Sequence, residues 1–98
     1  MQLIIATSQF AVCSDIESNK MNIINQMHIA QGSGCDIIHF PEGSLSGYAG
    51  VDMSSFENFN WDYLKACTQE IMNQANALDL WVLLGSSHQL SGNNKPHQ

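Results

Sequence analysis

Asp36-Ile37-Ile38-His39-Phe40-Pro41-Glu42-Gly43-Ser44-Leu45-Ser46-Gly47-Tyr48-Ala49-Gly50 is the stretch that decides how this chain folds. Ile37 to Phe40 reads as a short apolar strand. Pro41 ends it, because proline removes a backbone donor and fixes φ. Glu42 follows at once, a single carboxylate on a stiff support. A loop rich in Gly and Ser comes next. In α/β sheets, the carboxyl ends of the strands are where ligands and catalytic groups gather. The plain reading of Glu42 is a solvated carboxylate just past a strand.

Working outward, Leu3-Ile4-Ile5 reads as a strand buried on both faces that turns polar through Thr7, Ser8 and Gln9. Ser14-x-x-Glu17 has the spacing of a capping box, so a helix is predicted from Ser14 to Gln31, closed by Gly32-Ser33-Gly34. Its apolar face is Ile16, Ile23, Ile24, Met27 and Ala30. Asn60 is placed to cap a second helix, with Asp62 in its first turn. The buried stripe predicted there is Trp61, Leu64, Cys67 or Thr68, Ile71, Ala75 and Leu78. Leu80 to Gly85 is a third apolar strand, and Trp61 and Trp81 read as core. The order β-α-β-α-β implies an α/β fold with parallel strands and right-handed crossovers. Strand order 1-2-3, with both helices on one face, follows. Gly43 to Phe59 is a long loop, and loops of that length in a compact domain are usually functional.

Composition narrows the function. Ninety-eight residues suffice for one small domain, and 44% hydrophobic content is enough to pack it. A net charge of −6, with three lysines, no arginine and no basic cluster, argues against nucleic acid or an anionic membrane as partner. No segment is long enough to span a bilayer, and Met1 to Ile5 lacks the features of a signal peptide. Cys13, Cys35 and Cys67 are odd in number and widely spaced, which fits reduced thiols with no disulfide among them, in a cytoplasmic setting. His39, Glu42 and His88 are the one set that could converge on a metal. His39 reads better as packed or hydrogen-bonded within the sheet and His88 as a loop residue, so no metal and no cofactor is expected.

The Phe40-Pro41-Glu42 run with the later Gly47-Tyr48 resembles the amino-terminal signature of the carbon-nitrogen hydrolase (nitrilase) superfamily. The first strand from Gln2 to Gln9, Asn19 within the first helix, Val82-Leu83-Leu84-Gly85-Ser86, His88 and Lys95-Pro96-His97 are similar to that family in the same order, so the resemblance covers essentially the whole chain. It implies the first part of an α-β-β-α sandwich, whose second sheet packs on the face that helices leave bare. It also implies hydrolysis of a non-peptide C–N bond, amidase or nitrilase type, by a Glu, a Lys and a thioester-forming Cys. Glu42 alone matches that set. Lys65 and Lys95 do not match the family lysine, and Cys13 is the one thiol placed to approach the Glu42 edge. Tyr48 resembles an aromatic that lines the substrate pocket, or else anchors the loop. The family Lys and Cys lie downstream of the Lys-Pro-His run, so residues 1–98 read as a truncated amino-terminal portion. Two functions are expected from this. One is a catalytic segment acting on a small amide or nitrile-like substrate. The other is a non-catalytic half-domain that buries its bare sheet face against itself or a complementary chain.

Overall fold

A computed structural model describes residues 2–47, 52 and 58–87. Three short strands, β1 (Ile5–Thr7), β2 (Ile37–His39) and β3 (Trp81–Leu83), alternate with two helices, α1 (Ile16–Gly32) and α2 (Trp61–Leu78). The strands are parallel in the order β1-β2-β3. All three regular strands are shorter than the apolar runs that announced them. The ladder nevertheless continues beyond them, with Ser8 N–H donating to His39 C=O at 2.9 Å and Phe40 N–H to Leu83 C=O at 2.9 Å.

The first helix starts at Ile16, two residues later than expected, and ends at Gly32. Its cap is Asp15, not Ser14: the Asp15 carboxylate accepts from the Glu17 N–H at 3.3 Å and from the Ser18 hydroxyl at 2.7 Å. A charged acceptor gains from the positive end of the helix dipole where a serine hydroxyl gains less, which accounts for the shift. Asn60 caps α2 as expected, accepting from Tyr63 N–H at 3.0 Å, and Asp79 closes that helix in the left-handed conformation at φ 52°.

Both helices lie on one side of the sheet. Ile16, Ile23, Met27 and Ala30 of α1 meet Leu64, Cys67 and Ile71 of α2 over Ile38, with Ala6 and Val82 packed alongside. Each Ile, Leu or Met side chain moved from water into that core contributes about 1.5–3 kcal/mol. Because strand side chains alternate, the neighbours of Ala6, Ile38 and Val82 face the other way. The register makes two rows there, Ile5–Ile37–Trp81 and Thr7–His39–Leu83. Trp81 is therefore not core: it is 77% exposed, and Leu83 and Ile5 stand beside it, largely exposed too. His39 is exposed in the same face rather than packed. Trp61 is half-buried against Phe59, ring centroids 4.6 Å apart.

An ion-pair network ties the helices together at the surface. Lys20 Nζ lies 3.0 Å from Glu17 and 2.7 Å from Glu70, joining α1 to α2. The Tyr63 hydroxyl donates to Glu17. These bonds hold Glu17 below its ordinary value and raise Lys20 and Tyr63 above theirs. Among the described residues, no helix is long and apolar enough to cross a membrane.

Candidate active site

The carboxyl end of the sheet is built around a turn, Pro41 to Gly47, that leaves β2. Gly43 takes φ 72°, a conformation costly for any residue with a Cβ, and this lets the chain fold back on itself. Ser44 donates to Pro41 C=O through both its N–H (3.2 Å) and its hydroxyl, and Gly47 N–H donates to Gly43 C=O at 2.9 Å. Gly43, Ser44, Leu45, Ser46 and Gly47 are all buried. A backbone this enclosed must find partners within the protein, and these bonds supply part of them.

Two neighbouring elements hold the turn. Beyond β3, Gly85 C=O accepts from Leu45 N–H at 3.4 Å, and Ser87 N–H donates to the Ser46 hydroxyl at 3.0 Å. Gly85 itself touches the turn so closely that a Cβ there would stand 2.4 Å from Pro41 O and 2.6 Å from Glu42 Cα. From the other side, Asn19 of α1 donates to Leu45 C=O at 3.0 Å. Phe10, after β1, packs edge-on against Phe40, with centroids 6.4 Å apart.

Glu42 thus occupies the end of the central strand with its backbone fixed between β3 and a buried turn. Glu42 is exposed, and it lies apart from the cavities along α2 and β3. Ser8, at the end of β1, is 4% exposed, and its hydroxyl has no hydrogen-bond partner among the described residues.

The remaining candidates fall as follows. His39 points out of the bare face, one pleat before the site. Cys13 is half-buried in the β1–α1 connection, its thiol directed at Asn19 Oδ1 (3.6 Å) and Asp15 C=O (3.8 Å). Cys35 sits at the opposite end of β2, and Cys67 is buried on α2, where burial pushes its thiol up. All three cysteines are free. Lys65 is exposed on α2. Tyr48, His88 and Lys95 lie outside the described residues. No group of three or more potential metal ligands occurs among the described residues.

Sequence reasoning missed Asn19 as a structural bond-maker and Lys20 as the bridge between helices. Both left a signal. Asn19 interrupts the apolar spacing from Ile16 to Ile23, so it had to be buried. Glu17 and Lys20 are three apart, the spacing of a helical ion pair. A groove of about 610 Å³ runs between α2 and β3, lined by Ile71, Met72, Ala75, Trp81 and Val82 with Ser86 and Ser87 at one end. It lies beside the open edge of the sheet rather than at Glu42.

Compared with known families, residues 4–97 match the family model described as carbon-nitrogen hydrolase. No curated protein matches the chain.

Proposed function

Because the chain belongs to the carbon-nitrogen hydrolase family, we propose that it supplies Glu42 as the reacting carboxylate in hydrolysis of a small amide or nitrile-like compound. The observation that carries this reading is the seating of Glu42. It is the first residue past the proline stop of the central parallel strand, with its Cα against Gly85. Residues 1–98 are the amino-terminal portion of the catalytic domain in this reading. Residues 1–98 hold no match to the family lysine or cysteine, so this reading takes both from outside that segment, and it places the protein in the cytoplasm.

The chemistry needs little of this segment beyond one well-placed base. Glu42 takes the proton of the cysteine thiol as sulfur attacks the carbonyl carbon, and returns it to the leaving amine as the C–N bond breaks. It then takes a proton from water as water attacks the thioester, which releases the acid and restores the thiol. The lysine and backbone N–H groups stabilise the oxyanion in each half. Glu42 serves as the base once further chain and substrate close over the strand ends and exclude water. By resemblance to the family, Tyr48 is the residue proposed to contact substrate.

A second reading is favoured by the bare sheet face with Ile5, Trp81 and Leu83 exposed: a half-domain that covers this face with another copy or a complementary chain and catalyses nothing. Ammonia release from small carboxamides by the purified protein separates the two. Turnover lost in Glu42→Gln, with the melting curve retained, supports the catalytic reading. Turnover indifferent to Glu42→Gln, or absent from the product of the complete reading frame, removes it. Turnover by this chain that survives joint replacement of Cys13, Cys35 and Cys67 by serine would exclude its own thiols as the thioester nucleophile.

A further inference from the structure

We propose that Asn19 is a positioning residue for Glu42: its buried amide fastens the Glu42 turn to the β1–α1 connection, so the placement of the carboxylate depends on it. The proposal rests on Glu42 being the reacting group.

Asn19 lies in the first turns of α1 and is 0% exposed. A primary amide buried that completely is costly unless every polar atom is paired. Here the pairing is complete. Oδ1 accepts from Cys13 N–H at 3.0 Å. Nδ2 donates to Cys13 C=O at 2.7 Å and to Leu45 C=O at 3.0 Å. The partners fix the orientation of the amide, since only oxygen can face an N–H and only nitrogen can face two carbonyls. Asn19 therefore pairs with Cys13 as one peptide group pairs with another, and spends its last proton on the turn.

That last bond spans a long reach of sequence. Cys13 follows β1, and Leu45 is three residues past Glu42. Leu45 is held on both sides of its own backbone, by its N–H to Gly85 and by its C=O to Asn19. Among the described residues, removing the Asn19 bond leaves the turn hydrogen-bonded to other elements on the β3 side, through Gly85 and Ser87. The chemistry also excludes the nearest substitutes. Aspartate has the same shape but no protons for two carbonyls, so it sets a charge against both. Leucine fills the space and strands three backbone groups. Merely capping α1 would not require this, because Asp15 already does so.

The test is residue-by-residue amide hydrogen exchange on the 98-residue protein, comparing wild type with Asn19→Asp, Asn19→Ala and Ile23→Val. The last of these weakens α1 without touching the clamp. Expected is a loss of protection at Leu45, Gly47 and Ser87 in both Asn19 variants that exceeds the loss at Ile71 by tenfold or more. Ile23→Val should lower all of them together. Equal losses at Leu45, Gly47 and Ile71 in the Asn19 variants would reduce Asn19 to general stability and overturn the proposal. If neither variant folds, the wild type decides. The Asn19 Nδ2 protons should exchange through the same opening as the Leu45 amide, with one urea dependence. Fast, independent exchange of those protons overturns the clamp. In protein that turns over substrate, Asn19→Asp should lower kcat at least tenfold with KM changed less than twofold. Unchanged kcat, with Glu42→Gln dead, refutes positioning. Lost protection in Asn19→Asp, with Glu42→Gln fully active, retires the catalytic reading and leaves the clamp standing.

Discussion

Gly85 and Glu42 share a contact that admits no side chain: the space a Cβ on Gly85 would need is already held by the Pro41 carbonyl oxygen and the Glu42 Cα. Both obstacles are backbone, so neither can swing aside. Gly85→Ala should displace the turn and destabilise the protein by about 1–3 kcal/mol, as overpacking does. Urea unfolding reads the first effect, and the chemical shifts of Glu42 and Leu45 read the displacement. An alanine variant with wild-type stability and unmoved shifts would show that this contact is slack.

The helix-bridging network sets a pH dependence. The Tyr63 hydroxyl, then Lys20, keep Glu17 charged below its ordinary 4.5, so its contribution is present above that value and is lost as pH falls through the lowered one. Glu70, then Glu17, raise Lys20 above its ordinary 10.5, and Glu17 raises Tyr63 above 10.0. Their contributions are complete below the ordinary values and drain as pH rises through the raised ones. The network's share of the melting temperature should be flat between 4.5 and 10.0 and fall on both sides. The carboxylates and Tyr63 are open to solvent although the Lys20 side chain is largely covered, so the effect is small and salt-sensitive. Tyr63→Phe should trim both limbs at low salt, and an unaltered profile for that variant counts against the network.

Ser8 offers a substitution that should not hurt. Its buried hydroxyl lacks a partner among the described residues, and an unmet hydroxyl costs about 1–3 kcal/mol. Ser8→Ala should be neutral or stabilising by calorimetry. A clear drop in Tm would mean the hydroxyl is paired in solution, with bound water the first candidate to look for.

Trp81 and Leu83 lead to the fourth expectation. The chain should sediment above monomer mass or melt without cooperativity, because each of these side chains gains about 1.5–3 kcal/mol on being covered. Trp81→Lys should shift the population toward monomer. A wild-type chain that sediments as a compact, cooperatively melting monomer would refute this.

Much of the architecture was legible because periodicity survives in this sequence. The stripe Leu64–Cys67–Ile71 and the Asn60 cap stand where spacing placed them. Strand order followed from chain order and handedness. Trp81 was misread because an all-apolar run carries no alternation to say which residues face the helices. The site was half legible. Pro41 announced the strand stop and the plain reading of Glu42 was a solvated carboxylate, but the burial of the turn behind it depends on Gly85 and Asn19, whose partners lie on other elements. No local pattern encodes a bond from α1 to a loop beyond β2.

The sheet has one more consequence, for the order in which the molecule assembles. Ile37 pairs with Ile5 on one side and Trp81 on the other, and a whole helix separates each pair along the chain. No hairpin exists to nucleate the sheet, so every strand contact waits on closure of a long loop. The helices can form locally and meet through Ile23 and Ile71 first. Truncating those two should slow folding, whereas changes in β3 should mainly hasten unfolding, a division that stopped-flow kinetics would resolve. A nascent chain would then carry a docked helix pair before it owned a sheet, and the Glu42 turn would be set last, when β3 arrives beside it.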